Sequence, residues 1–443
     1  MKSMYVVAGM LMASGVCAED FPQFRGPGGS AHVQAQDIPL EWTDKSNIAW
    51  QTAIPGTGWS QPVISGDQIF VTAAVSEKLS KPKNFSDGTR MPQSMGLGGF
   101  TRPPRTEIAW RVFCLQTSDG AVVWEKTVHT GPPKFAVHPS NTYATESPVV
   151  DGDHVYAYFG AAGRVTALDR SDGRQVWQQD IGVFRTSNNF GTGSSLAIHA
   201  GHVFAQNFTE ASADVYCFAG STGEIKWKQS RKKTASSWSS PLTWKTAART
   251  ELIVSGGQRV DSFDPITGKT LWTLTNVKAA TACSPCADSE RLYFGGSDPF
   301  SKGPLFAVQA GASGDLSPDK KNDNFTNCAW LVKRAAPGMA SPVSSGEFLY
   351  VAADNILRCY DAATGDLHYQ KRLPNIGRVA ASPLIVGDKL LVLDESGAAC
   401  LLAVGKQFEV VGKGKISDTF WSSPAVANGS IYLRGVDKLY CIR

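Results

Sequence analysis

Cys283-Ser284-Pro285-Cys286 is the one closely spaced cysteine pair in a chain of 443 residues and nine cysteines. A Cys-x-x-Cys spacing serves thiol–disulfide exchange where a helix N-terminus lowers the first thiol's pKa, and serves zinc where a second pair completes four ligands. Here an alternating apolar run follows the pair, and the sequence holds no second pair. The expectation is two semi-buried thiols, or one of them paired with Cys328. The remaining chemistry-bearing residues gather in two polar stretches, His138, Asn141 and Glu146, then Arg185, Asn188 and Asn189. With the indoles of Trp59, Trp238 and Trp421, and with Arg259 and Arg378 approaching, such side chains suit a polar ligand that stacks on an aromatic face. The same groups also serve to tie loops together. The residue order supports no Ser-His-Asp triad and no paired carboxylates, so no catalytic residue and no metal ligand is assigned.

What would position these groups is a repeat. Ser-Pro, an apolar pair, a turn with Gly and an alternating apolar run recur along the chain. The starts are Gln61-Pro62, Ser147-Pro148, a degenerate Ser194-Ser195-Leu196, Ser240-Pro241, Ser284-Pro285, Ser341-Pro342, Ser382-Pro383 and Ser423-Pro424. Most intervals are about 41–47 residues, the length of one supersecondary unit in a repeat array. A second signature follows each start, cleanest at Ala167-Leu168-Asp169-Arg170-Ser171-Asp172-Gly173-Arg174-Gln175-Val176-Trp177. Asp closes a turn onto backbone amides, Gly supplies positive φ, and two strands flank the turn. The aromatic that ends it offers a broad face to the next unit. Trp124, Trp177, Trp227, Trp272 and Tyr369 hold this position, and Trp50 matches it near the N-terminus. Cys114, Cys217, Cys359 and Cys441 share the position of Ala167, with Cys400 as a fifth. They are expected to be small buried residues in separate units.

These units predict an all-β fold: an eight-bladed β-propeller of four-stranded antiparallel blades. The last unit ends after its third strand, and Asn47–Thr52 is the expected donor of its outer strand, closing the ring. The long first interval contains 75–108, rich in Lys, Pro, Gly and Met, which reads as a loop insertion in blade one.

The Ala-x-Asp-x-x-Thr/Asp-Gly-x-x-x-Trp repeat resembles the tryptophan-docking motif of the quinoprotein alcohol dehydrogenases and of the assembly lipoprotein BamB. The resemblance covers nearly the whole mature chain. Exported PQQ-binding-like propellers of planctomycetes and verrucomicrobia are similar at four further places. These are Phe21-Pro22-Gln23-Phe24-Arg25-Gly26-Pro27, His138 to Pro148, Gly191-Thr192-Gly193-Ser194-Ser195 and Arg249-Thr250-Glu251-Leu252. Quinoprotein dehydrogenases hold PQQ on the axis against Ca²⁺, below a disulfide between adjacent cysteines. This chain has no Cys-Cys dipeptide and no Asp-x-Asp-x-Asp-Gly loop. With those hallmarks missing, the expectation is a binding or assembly scaffold without catalysis, taking a protein partner or a small polar or glycan ligand. The alternatives are a PQQ-dependent dehydrogenase of alcohols or sugars and a carbohydrate-binding or carbohydrate-cleaving propeller.

Net charge is +4, and the densest basic run is Arg231-Lys232-Lys233, too little for a nucleic-acid partner. Lys2, the apolar run Met4–Val16 and Val16-Cys17-Ala18 predict a signal peptide over 1–18, with the propeller over 19–443. Cleavage after Ala18 is favoured over lipidation at Cys17, because Val16 is bulky. The expected location is the periplasm or cell surface, with no transmembrane span and a monomeric state.

Overall fold

The computed structural model describes residues 20–34, 36–84, 102–231, 235–275, 277, 282–298, 301–318 and 328–443. The leader, Cys17, the middle of the insertion and Lys232-Lys233 lie outside them. The described residues form eight successive sheets and no α-helix, and no helix is long and apolar enough to cross a membrane. Blade one is Val63–Ser65, Gln68–Val75, Ile108–Gln116 and Val122–Gly131. Blades two to seven repeat this meander, with innermost strands at Val149–Asp151, Ala197–His199, Leu242–Lys245, Cys286–Ala287, Val343–Ser344 and Leu384–Val386. Blade eight has Ala425–Ala427, Ser430–Arg434 and Lys438–Ile442, and its outermost strand is Ile48–Ala53, where Trp50 pairs with Cys441. In a four-stranded meander, the loops leading into innermost strands share one face with the turns between second and third strands. That side is termed the mouth face here, and the opposite side the turn face.

The docking aromatics join blades through their indole N–H. Trp50 donates to the Thr117 carbonyl, Trp124 to Arg170, Trp177 to Gly220 and Trp227 to Pro265, each on the next blade. Gly223 shows how close the approach is: it has φ +72°, and a Cβ there would stand 2.6 Å from the Trp177 ring. Four blades depart from the pattern, and in blade six the aromatic opposite Cys359 is Tyr369, which has no indole N–H. Trp330 docks blade five onto the Ala362 carbonyl, although the chain between third and fourth strands delays it well past its usual place. Trp272 keeps its strand position but donates 2.7 Å to the buried Glu251 carboxylate of its own blade. Glu251 also accepts from Arg249 and Ser262, and Arg249 reaches the Ala312 carbonyl, so the Arg249–Leu252 motif ties blade four to blade five. Blade seven has Gly412 where an aromatic is expected, opposite Leu401. Trp42, from a short strand alongside Val410–Lys415, lies against Gly414 instead. That register corrects the expectation for Cys400: it sits one residue before the shared position, opposite Lys413. All eight described cysteines are free thiols, so Cys328 pairs with neither Cys283 nor Cys286.

The hub is a hydrogen-bonded ring. The backbone N–H of Gln61 donates to the hydroxyl of Ser147, and the N–H of Ser147 to that of Ser195. The series continues through Ser240, Ser284, Ser341 and Ser382 to Ser423, seven bonds of 2.8–3.0 Å. Gln61 stands where an eighth serine would, and its side-chain amide donates 2.6 Å to the Pro424 carbonyl, joining blade one to blade eight. Residues 20–34 strap across this hub. Asp20 binds Ser65 and Gly66 on the turn face, and Phe21 pairs with Ile64 of blade one. His32–Val33 run parallel to Ile385–Val386 of blade seven.

Trp177→Ala should destabilise the protein by roughly 3–5 kcal/mol, the range for deleting a buried aromatic side chain, as read by denaturant melts. Ser284→Ala strands one buried N–H and should cost on the order of 1–3 kcal/mol. Gln61→Ala removes two side-chain bonds of the hub and should cost more than Ser284→Ala in the same assay.

Candidate functional site

Two residues ahead of the hub ring stand Trp59, Thr145, Gly193, Trp238, Met339 and Trp421, the last residues before each chain turns into the channel. Trp59 and Trp421 stack at 6.1 Å between ring centroids. The Trp59 indole donates to the Ser140 carbonyl, and the Trp238 indole to the Gly191 carbonyl. Trp238 also meets Phe190 edge-on, and Phe190 lies beside His138. The lead-in loops of blades two and three are therefore sewn together between these tryptophans.

Asn141 is the main stitch. Its amide donates to the Phe190 and Thr192 carbonyls, and its oxygen accepts from the Thr142 amide and the Thr145 hydroxyl. His138 is buried, and its Nδ1 accepts from the Ser140 amide at 3.2 Å. Burial pushes its pKa down to about 4, so the imidazole is neutral. Glu146 is fully buried. Its carboxylate accepts from the amides of Thr145 and Gly160 and from the Thr192 hydroxyl. Desolvation still outweighs these bonds and pushes its pKa up to about 7. Glu146 thus joins three loops within the fold. Gly160 is required there, since a Cβ would stand 2.7 Å from Thr192 and 2.8 Å from the carboxylate.

Arg185 and Asn188 are exposed at the rim of this cluster, and Arg185 Nε donates to Asn189, which is buried. Asn188 holds φ +50° within the short 3₁₀ turn Ser187–Asn189. The structure does not bring Arg259 or Arg378 to this place. Arg259 pairs with buried Asp261, which also binds Arg231, at the seam of blades three and four. Arg378 approaches Glu395 and Met339 among blades six and seven. A cavity of about 20 Å³ bounded by Val137, Phe184, Gly191 and Thr192 lies among these loops. A cleft of about 470 Å³ opens instead on the turn face, between the strap and the turns of blades two to four.

Sequence reasoning missed the residue at the centre of the hub, Arg25. It is 1% exposed, and its guanidinium donates 2.6 Å to the Pro285 carbonyl and also to the Pro342 carbonyl. Its own N–H donates to Gln61 Oε1. The Phe21–Pro27 motif carried the signal, an arginine among small and apolar residues ahead of the first blade, but no spacing rule places it on the axis. The Glu146 geometry has a consequence for pH. Its folded pKa lies above the ordinary carboxylate value of 4.5, so the folded state holds the proton more tightly. Folding carries no penalty from Glu146 below pH 4.5, and the penalty grows as pH rises through 7. Glu146→Gln should therefore gain stability relative to the native chain between pH 5 and 8, on the order of 3 kcal/mol, read by melting at both values.

Comparison with known proteins agrees with this architecture. Residues 161–317 match the family model described as outer membrane protein assembly factor BamB. No curated protein matches the chain. Among solved structures, BamB from Moraxella catarrhalis is similar at 13% identity and a TM-score of 0.53, covering 77% of this chain and 92% of that one. Quinohemoprotein alcohol dehydrogenase from Comamonas testosteroni is similar at 12% identity and 0.62, covering 96% and 80%. The enzyme ADHIIG from Pseudomonas putida HK5 follows at 10% and 0.59, with the same coverage. At these identities the structural likeness is one of fold. Residues 161–317 match the BamB model, and the chain as a whole folds as an eight-bladed ring similar to those of the solved structures.

Proposed function

We propose that this chain is an exported, non-catalytic propeller that binds a protein partner in the cell envelope through its mouth face. The observation that carries the reading is the filled hub. Arg25 and Gln61 occupy the axis at the level of the proline carbonyls, and the buried carboxylate of Glu146, one residue ahead of the hub ring, already accepts from three donors. PQQ is a planar polyanion that would need this space together with acidic ligands for its Ca²⁺. Among the described residues no three His, Cys, Asp or Glu side chains gather to hold a metal ion. The residues present therefore do not fit the cofactor. A protein partner is favoured over a small polar or glycan ligand on this face because the polar side chains of the lead-in loops bond one another, and the cavity beside Val137 and Thr192 holds only about 20 Å³. Arg185 and Asn188 remain exposed on that face, beside the described ends of the blade-one insertion, where Lys83 meets Pro139. The matched BamB model, an assembly factor by its description, points the same way.

A photo-crosslinking residue at Asn188 should capture a defined envelope protein in cells, whereas the same residue at Lys226, on an outer strand, should not. Incubation with PQQ and Ca²⁺ should give no dye-linked oxidation of an alcohol and sugar panel. Turnover in that assay would replace the scaffold with a quinoprotein dehydrogenase.

A further inference from the structure

The hub has an imbalance of donors and acceptors that follows from its repeat. From Gln61 to Ser382 each axial N–H is taken by the serine hydroxyl of the next blade, and the residue after it is proline in all blades but blade three, where Leu196 stands. Proline has a carbonyl but no N–H. Facing the axis, the chain therefore presents carbonyl oxygens without matching donors, and buried acceptors need partners. Three of these carbonyls have visible partners, and all three donors come from side chains: Pro424 takes the Gln61 amide, while Pro285 and Pro342 take the Arg25 guanidinium. The thiols of Cys283 and Cys286 lie beside Arg25, and among the described residues no carboxylate forms an ion pair with its guanidinium. A fully buried cation without a counter-ion is costly unless oriented dipoles stabilise it. The backbone of Arg25 has φ +64°, which favours glycine, yet an arginine is present.

From this we infer that the axis of the ring is a guanidinium-binding site, built from proline carbonyls of separate blades and filled in this chain by its own Arg25. A guanidinium suits it because it is a planar fork of five donors with no acceptor, and because it is more weakly hydrated than an ammonium ion. The Phe21–Pro27 motif is then the carrier of an internal ligand. Phe21 pairs with Ile64, Gly26 lies flat on the Phe21 ring, and Ala31 N–H bonds the Arg25 carbonyl, which together fix the guanidinium on the axis. This site lies on the strap side of the hub and does not depend on which partner the mouth face takes.

The test is chemical rescue in the full mature chain. Arg25→Gly removes the side chain and leaves the backbone in a conformation glycine prefers, so its loss of stability reports the site. The variant should melt several degrees lower than the native chain. Methylguanidinium at millimolar concentration should recover most of that loss with a saturable dependence, whereas methylammonium and the native chain show no such gain. Arg25→Met, which keeps the aliphatic stem and fills the space, should be destabilised and not rescued. If Arg25→Gly does not fold alone, refolding with methylguanidinium against methylammonium gives the same readout as recovered soluble protein. No selective recovery by either route, or equal stabilisation of Arg25→Met, would overturn the assignment.

Discussion

Eight separate sheets meet at one axis, and the bonds between Ser N–H and the next blade's hydroxyl are what let them do so. Innermost strands of neighbouring blades converge but do not pair as sheet, because each belongs to its own meander. Their axial N–H groups would be buried without partners. A serine one position ahead of the turn into the channel solves this at every junction from blade one to blade eight, with bonds of 2.8–3.0 Å. The seven bonds run in one sense from blade one to blade eight, so each of blades two to seven is donor to one neighbour and acceptor from the other. Only a closed ring leaves no blade with an unmatched end. At the single junction without a serine, Gln61 reaches further and binds both the Pro424 carbonyl and the strap.

Closure also explains why the N-terminal segment visits so many blades. Before the first blade begins, residues 20–53 contribute the axial strap, Trp42 against blade seven and the outer strand of blade eight. Each of these repairs a deficit in the C-terminal blades: missing donors at the hub, Gly412 in place of a docking aromatic, and an absent fourth strand. A similar repair occurs within blade four, whose outer strand is extended in parallel by Gly314–Asp315. Covered edges of this kind remove sites for unwanted strand pairing.

The repeat made the blades legible because both of its signatures report local physics. Ser-Pro marks where a strand turns into the channel, and Asp-x-x-x-Gly with a trailing Trp marks a tight turn and its packing face. Trp59, Trp238 and Trp421 stand at equivalent positions, each two residues ahead of the hub ring. What stayed hidden depends on distant chain segments. Trp330 escaped because added residues moved it out of phase, and Cys400 was misaligned because blade seven breaks the register at Leu401–Leu402. Arg25 and Trp42 have no repeat around them, so nothing local says which blade they serve. Arg259 and Arg378 lie on the mouth face beside other blades, where Asp261 and Glu395 are their partners rather than the loops of blades two and three.

The polar richness of the lead-in loops has the same origin as the serine ring. Loops 138–146 and 185–193 cross a buried region without regular structure, so their amides and carbonyls need partners from side chains. Asn141 supplies both donor and acceptor, His138 supplies an acceptor while neutral, and Glu146 gathers the donors of three loops. A concentration of His, Asn and Glu in a propeller sequence therefore measures how irregular the backbone is before it measures chemistry. Recognition is better sought where polarity answers no need of the fold. On this face the exposed rim carries Asn188 beside Arg185, whose guanidinium bonds Asn189.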